Sequence, residues 1–246
     1  MFKNKKYIFS ILAIILVISM VSKYTFALEN EENEECKFKV CIDPGHQLKG
    51  DNTPETVAPN SNSKKVRVTS GTSGIASKKA EHVVNLEAAL ILRDLLVDKN
   101  YDVIMTRECS QVNISNRERA EIANRENADI TIRIHCDSIN DGSKTGTVIL
   151  VPSKENNCTK EIYKDSMDFA SLLKDNLIKD GIKVNGIFER SDITGFNWSS
   201  VPVVILEMGF MSNYNEDLML NDPEYQNKLM TCVANAIDAY KEINNS

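Results

Sequence analysis

Five short segments rich in β-branched and apolar residues alternate along this chain with four longer segments in which apolar residues recur at helical spacing. Strands that alternate with helices in this way form a mostly parallel sheet that is covered by helices on both faces. The pattern therefore predicts an α/β fold in a single domain, with a twisted sheet of about five to six strands. We predict strands at 37–43, 101–106, 129–135, 146–151 and 201–209, and helices at 78–99, 115–127, 159–179 and 223–243.

The first 27 residues differ from the rest of the chain. A lysine-rich start precedes an apolar run at 7–21, and Thr25-Phe26-Ala27 places small residues at the two positions that a signal peptidase reads. The run is short for a transmembrane helix, which needs about 20 apolar residues. We therefore expect a signal peptide at 1–27, with an uncleaved N-terminal anchor as the alternative. Both imply export, and a membrane contact through this segment if it is retained. An acidic linker is expected at 28–36 and one folded domain at 37–246.

The chain is acidic, with a formal net charge of −6. Without residues 1–27 the charge becomes −10, because that segment contributes four lysines and no acidic residue. This balance argues against nucleic acid or an anionic membrane surface as a partner. The six cysteines are few for a chain long enough to bury a full core, so they do not predict a disulfide framework. A single bridge remains an open alternative. The cysteines are at positions 36, 41, 109, 136, 158 and 232.

Two of the three histidines follow or end predicted strands. His46 comes directly after the first strand and the turn residues Pro44 and Gly45, and His135 ends the third strand. In parallel sheets, functional sites lie where the carboxyl ends of the strands meet. A carboxylate from a neighbouring helix would complete a His/His/Glu zinc site with one open position, which is the pattern of catalytic zinc. The alternative is that each histidine is an ordinary surface residue at a strand end.

Glu81 and His82 compete to be the third ligand. Both lie near the start of the helix at 78–99, but they differ in direction by about 100° around its axis, so both cannot face one metal ion. Asn85 lies one turn after Glu81 and shares its face. Glu81 can instead be an acidic residue that interacts with the helix dipole. The spacing leaves this choice open.

Glu207 interrupts the most apolar predicted strand, which is expected near the centre of the sheet. A carboxylate in apolar surroundings has a raised pKa, which suits it to act as a general base. The alternative is that Glu207 is half of a buried ion pair. Cys136 adjoins His135, but neighbouring side chains of a strand point to opposite faces, so we expect Cys136 and also Cys41 in the core.

A polar segment of unusual length, 47–77, follows His46 directly. It contains one alternating stretch, 65–69, that can form a strand of a small hairpin. Long segments of this kind inside a compact domain are usually binding loops. We therefore expect 47–77 to line a cleft beside His46, although the sequence identifies no individual substrate contact.

Several short motifs occur along the chain in one characteristic order. They are Ile42-Asp43-Pro44-Gly45-His46, Glu81 with Asn85-Leu86, Met105-Thr106-Arg107, Arg117 with Ala123-Asn124, Ala128-Asp129 leading to Ile134-His135, and PVVILEMGFMSN at 202–213. With these motifs in this order, the chain resembles the zinc-dependent N-acetylmuramoyl-L-alanine amidases of the amidase-3 type, from residue 37 to the C-terminus. The resemblance identifies 37–246 as the catalytic domain. Two departures are the long segment 47–77, where the family usually has a short Gly-Gly loop, and Cys136-Asp137-Ser138, which replaces a commoner small-residue continuation.

The resemblance implies a mechanism. One Zn²⁺ per chain would be bound by His46, Glu81 and His135, which favours Glu81 over His82, and Glu207 would be the catalytic acid/base. The implied reaction is hydrolysis of the amide between N-acetylmuramic acid and L-alanine in peptidoglycan, in the cell wall outside the cytoplasm. The alternatives are a non-catalytic wall-binding or regulatory module and a zinc peptidase that cleaves within the stem peptide. One catalytic domain behind a signal peptide resembles the sporulation-type amidases, and a protein activator cannot be read from the sequence.

Overall fold

The computed structural model describes residues 37–244. The predicted signal peptide, the linker at 28–36 and Cys36 lie outside the described residues. Within 37–244, no helix combines the length and the apolar character needed to cross a membrane. The strands are β1 (Lys39–Pro44), β2 (Asp51–Thr56), β3 (Lys64–Val68), β4 (Asp102–Met105), β5 (Ile130–Asp137), β6 (Thr147–Pro152), β7 (Val184–Arg190) and β8 (Val203–Phe210). The helices are α1 (Glu81–Asp98), α2 (Asn116–Arg125), α3 (Lys160–Lys179), α4 (Thr194–Asn197), α5 (Tyr214–Leu220) and α6 (Pro223–Asn244).

Six strands form one sheet in the order β4-β1-β5-β8-β6-β7. β4, β1, β5 and β8 are parallel to one another, β6 is antiparallel to β8, and β7 is parallel to β6. β8 lies inside the sheet, between β5 and β6, as its apolar sequence predicts. The predicted α/β fold with a mostly parallel sheet of five to six strands is confirmed.

One face of the sheet packs against α1, α3 and α6 and forms the main core. Because side chains alternate along a strand, every second residue of β1, β5 and β8 contributes to this core. Each fully buried Leu or Ile there stabilises the fold by about 1.5–3 kcal/mol relative to exposure. Cys136 belongs to this core, as predicted. Other members are Val40, Ile42, Ile132, Ile134, Val204, Leu206, Leu92, Leu173 and Ile237.

The opposite face of the sheet is covered incompletely. α2 covers its β1 side, where Ala123 packs against the buried Cys41. α4 covers part of β8, where Phe196 packs against Ile205. Val148 of β6, the strand between β8 and β7, remains partly exposed. His135 and Glu207 project onto this face, because they alternate with the core residues of their strands.

Four elements were not predicted from the sequence, namely β2, β7 and the short helices α4 and α5. The other elements agree with the predicted ones within a few residues. The hairpin strand predicted at 65–69 is present as β3 at Lys64–Val68, and it pairs with β2 in an antiparallel hairpin. The capping box expected at Ser115 is present, since the Ser115 and Glu118 side chains each accept from the other's backbone N–H.

Candidate metal centre

The turn after β1 holds His46 in the left-handed backbone region, with φ 62°. Two buried arginines donate hydrogen bonds to the backbone carbonyl groups of this turn. Nη2 of Arg107 donates to the Gly45 carbonyl at 2.9 Å, and Nη2 of Arg119 donates to the His46 carbonyl at 2.9 Å. Their residues are 3% and 1% exposed. The backbone of the turn that carries His46 is therefore held in place by two buried side chains.

His46, Glu81 and His135 come together at the carboxyl ends of β1 and β5. Oε1 of Glu81 lies 3.1 Å from Nε2 of His46 and 3.3 Å from Nδ1 of His135. The three donor atoms lie within 4.8 Å of one another, and no other histidine, cysteine or acid of 37–244 joins the group. Gly45 makes this approach possible, because a Cβ there would collide with the imidazole ring of His135.

Hydrogen bonds orient the ligand candidates. Nδ1 of His46 lies 3.1 Å from the carbonyl oxygen of Thr69, so a proton on Nδ1 leaves the lone pair of Nε2 directed at the centre. Oε2 of Glu81 accepts from the Thr72 backbone N–H at 3.0 Å, and Oε1 accepts from Nδ2 of Asn85 at 3.1 Å. Partners of this kind fix the orientation of metal ligands.

The protonation states of the group also suit a metal. Burial alone would raise the pKa of Glu81, but hydrogen bonds and charge from His135 and His46 outweigh it and hold the pKa well below its usual range. Burial lowers the pKa of His135 to about 4. Near pH 7 the glutamate is therefore ionised and His135 is neutral, and these are the forms that bind metals.

The donor set fits a divalent cation such as Zn²⁺. Two imidazole nitrogens and one carboxylate oxygen are the ligands of many catalytic zinc sites, which keep a further position open. Nε2 of His135 is buried and has no hydrogen-bond partner among the described residues. No hydrogen bond of Nε2 therefore opposes the orientation in which Nδ1 faces Glu81.

Glu207 lies beside this group, because β8 pairs with β5 and places Glu207 opposite His135. Oε2 of Glu207 is inaccessible and has no hydrogen-bond partner within 37–244. Burial raises the pKa of Glu207 well above its usual value, and the charges of Glu81 and Asp137 raise it further. No basic side chain of the described residues forms an ion pair with Glu207. The arrangement is that of a desolvated carboxylate and gives no support to the ion-pair alternative.

His82 lies outside the group, and its Nδ1 is 3.0 Å from Oγ of Ser110. Cys136 is buried as expected and contributes through its backbone, because its N–H donates to Oε1 of Glu81 at 3.2 Å. The five cysteines within the described residues are all unpaired.

A cleft of about 290 Å³ opens beside the two histidines. The segment 47–77 lines this cleft through Lys65 and Thr69, as predicted. Arg133 and Arg190 were not predicted to take part. The alternation of β5 could have indicated Arg133, which lies two residues before His135 and therefore on the same face. The lining residues are His46, Lys65, Val66, Thr69, Asn116, Arg133, His135, Arg190, Asp192, Ile193, Thr194 and Ile205.

Known proteins resemble this chain in sequence and in structure. The family described as N-acetylmuramoyl-L-alanine amidase matches residues 40–239. A germination-specific N-acetylmuramoyl-L-alanine amidase of Bacillus subtilis is 26% identical over 182 residues, which are 68% of this chain and 73% of the relative. The probable cell wall amidase LytH of Staphylococcus saprophyticus is 26% identical over 165 residues, or 66% of this chain and 50% of the relative. The crystal structure of the N-acetylmuramyl-L-alanine amidase Ami1 from Mycobacterium smegmatis superposes with a TM-score of 0.74 at 25% identity, covering 82% of this chain and 96% of that one.

Proposed function

This chain belongs to the N-acetylmuramoyl-L-alanine amidase family, and from this premise we propose that it hydrolyses the amide bond between N-acetylmuramic acid and L-alanine in peptidoglycan. Membership of the family supports amidase activity on peptidoglycan. The observation that carries the more specific proposal is the convergence of His46, Glu81 and His135 next to Glu207.

We assign one Zn²⁺ ion per chain to Nε2 of His46, Oε1 of Glu81 and Nδ1 of His135. When bound, zinc supplies Lewis-acid chemistry and lowers the pKa of a coordinated water from 15.7 towards about 7. The chain contributes the fixed geometry. Thr69 holds the His46 ring and Asn85 holds the Glu81 carboxylate, so the ligands need little rearrangement to bind the ion.

Glu207 is assigned as the acid/base. Its carboxylate accepts a proton from the attacking water, which becomes the nucleophile at the lactyl carbonyl carbon. When the C–N bond breaks, Glu207 returns the proton to the amine of L-alanine. The products are a lactyl carboxylate on the glycan and a stem peptide with a free amino end. A raised pKa suits this role because the protonated form must persist long enough to act as the acid.

Peptidoglycan lies outside the cytoplasmic membrane, so the proposed activity requires export. We propose that residues 1–27 direct the chain there, as a cleaved signal peptide or as an anchor, and that the enzyme acts on the cell wall. The cell wall amidase named among the relatives supports this location.

Mass spectrometry of purified sacculi after digestion tests the reaction. The proposal requires muramic acid residues with a free lactyl group and stem peptides that begin with free L-alanine. New peptide ends inside the stem would indicate a peptidase instead. Binding to sacculi without any released product would indicate a wall-binding module.

The substitution Glu207→Gln tests the proposed base, because it keeps the shape of the side chain but cannot accept the proton. We expect a folded variant with its zinc retained and a loss of hydrolysis of roughly 10²–10⁴-fold. Glu121→Gln, which changes a half-exposed acid on α2, is the control and should keep full activity. Near-normal turnover by zinc-loaded, folded Glu207→Gln would contradict the mechanism.

A further inference from the structure

The cleft beside the metal centre has walls from two separate parts of the chain. Lys65 and Val66 belong to the hairpin β2–β3, and Arg190 and Asp192 lie at and after the end of β7. The hairpin and the β7 segment meet across the cleft, because Nζ of Lys65 lies 3.0 Å from Oδ2 of Asp192. The cleft therefore lies between the two histidines, the hairpin and the end of β7.

The charge of the cleft is opposite to the charge of the whole chain. Three of its lining residues are cationic, namely Lys65, Arg133 and Arg190, and one is acidic, Asp192. The chain as a whole carries a net charge of −6. This concentration of positive charge next to the proposed reaction centre would attract an anionic group.

Arg133 provides the strongest sign of an anion site, because this largely buried cation shares its counter-ion with a second arginine. Its residue is 4% exposed. Nε donates to Asp43 and Nη2 donates to Asn116. The carboxylate of Asp43 is shared with the buried Arg119. Two buried guanidinium groups thus share one carboxylate, and such an excess of buried charge normally has a counter-ion.

The acid already present in the cleft is at its rim. Asp192 accepts from Nε of Arg190 at 2.8 Å and from Nζ of Lys65 at 3.0 Å. The side chains of these three residues are between 45% and 51% exposed, so the ion pairs are screened by water. Asp192 also accepts from Nη2 of Arg190 and, through its backbone carbonyl, from Nζ of Lys65. A ligand carboxylate must therefore compete with Asp192 for Lys65 and Arg190.

We infer that this cleft is a binding subsite for a carboxylate on the peptide side of the scissile amide. The inference rests on the proposed function. In that substrate the carboxyl group of the muramic acid is consumed in the amide, so the negative charge nearest the reacting bond belongs to the stem peptide. The carboxylate of the second residue of an anionic stem would bind Lys65 and Arg190, and Arg133 lines the same cleft.

Two synthetic muramoyl tripeptides test the subsite if they differ only at the α-carboxyl group of the second residue, as a free carboxylate or as a primary amide. The zinc-loaded protein should hydrolyse the carboxylate form with a kcat/KM about 2- to 5-fold higher, which is the value of ion pairs with half-exposed cations. The double variant Lys65→Met, Arg190→Gln should lose most of this preference while still hydrolysing the amide form. Asp192→Asn should keep or increase the preference, because it removes a competing carboxylate.

Two control measurements show whether the preference arises in this cleft and on the peptide side of the substrate. Arg93→Gln removes a cation of α1 that pairs with Asp94 and Glu108, away from the cleft, and should leave the preference unchanged. Inhibition by N-acetylmuramic acid, which carries the lactyl carboxylate, should be the same in the wild type and in the double variant. If the double variant relieves this inhibition and keeps the peptide preference, the cations serve the glycan side and the inference is wrong.

The outcomes also distinguish the two proposals. Equal hydrolysis of both tripeptides by the wild type overturns the subsite and leaves the amidase reaction intact. Hydrolysis of neither tripeptide overturns the proposed function. In that case calorimetry with the two free peptides, carboxylate and amide, still measures the subsite, and equal binding of both peptides overturns it.

Discussion

At the scale of single residues, His135 connects the buried sheet to the metal centre. Its Nδ1 lies 3.3 Å from Oε1 of Glu81, and its Nε2 has no hydrogen-bond partner in the described part of the chain. His135→Ala removes one of the three proposed donors, so we expect the folded variant to lose stoichiometric zinc and hydrolysis together. Metal analysis after dialysis, with circular dichroism to verify the fold, makes the measurement.

His82→Ala is the matched control for that experiment. His82 is adjacent to Glu81 in sequence, but its Nδ1 interacts with Ser110 and not with the centre. This variant should keep its zinc. Stoichiometric zinc in folded His135→Ala would remove His135 from the site, and loss of zinc in His82→Ala would show that the assignment of the third ligand is wrong.

The choice between Glu81 and His82 as the third ligand shows what a sequence can predict about a single residue. Helical geometry predicts that only one of the two faces the strand ends, but it does not predict which one. The choice depends on the rotation of α1 about its axis, which is set by the burial of Val84, Ala88 and Leu92 against the sheet. The family resemblance supplied this information for Glu81, and the structure places Glu81, not His82, beside both histidines.

At the scale of elements, the hairpin β2–β3 forms a wall of the cleft and not part of the sheet. Its contacts with the rest of the protein are mainly polar. Nε1 of Trp198 donates to the carbonyl of Thr56 at 2.9 Å, and Lys65 pairs with Asp192. Shortening the chain between residues 52 and 63 should therefore shift the melting temperature by only about 2–4 °C, the equivalent of about 1 kcal/mol.

The same shortening should change the rate at which sacculi are cleaved, because it alters the wall opposite Arg190. Thr69 and Thr72, which contact His46 and Glu81, are retained, so zinc content should not change. Thermal unfolding and release of soluble peptidoglycan fragments are the two measurements. A variant that unfolds but keeps full activity per folded molecule would show that the segment belongs to the core and not to the cleft.

The elements that the sequence did not predict have physical reasons for being missed. β7 is an edge strand in which Gly186 and polar residues interrupt the apolar pattern, and Phe188 is 49% exposed. Strands of this kind show neither an apolar run nor strict alternation. α5 spans seven residues, which is too short for a helical period to be evident. The long helices show a clear helical period and the buried strands show apolar runs, so both were predicted within a few residues of their ends.

At the scale of the whole molecule, one buried carboxylate links four elements. Asp43, at the end of β1, accepts from Arg119 of α2 at 2.7 Å, from Arg133 of β5 at 2.7 Å and from Thr106, directly after β4, at 2.5 Å. Burial alone would raise the pKa of Asp43, but the two guanidinium charges and the Thr106 hydrogen bond outweigh it and hold the pKa well below its usual range. Arg119 also supports the carbonyl of His46, so the network connects the stability of the fold to the geometry of the centre.

This network predicts how stability depends on pH. A carboxylate whose pKa is depressed in the folded state stabilises the protein above its unfolded pKa, near 3.9, and this stabilisation is lost progressively as the pH falls below that value. Asp43→Asn leaves two buried guanidinium groups without their counter-charge, so we expect a loss of about 3–5 kcal/mol at pH 7. The difference between the wild type and the variant should then shrink as the pH is lowered from about 5 towards 3, because only the wild type has this contribution to lose.

Urea unfolding of both proteins across this range, with a chelator present so that loss of metal does not contribute, measures the difference. Asp94→Asn, which removes an exposed partner of Arg93, is the control and should cost less than about 1 kcal/mol at every pH. A difference between the wild type and Asp43→Asn that stays constant as the pH falls would show that Asp43 acts through its shape and hydrogen bonds and not through its charge.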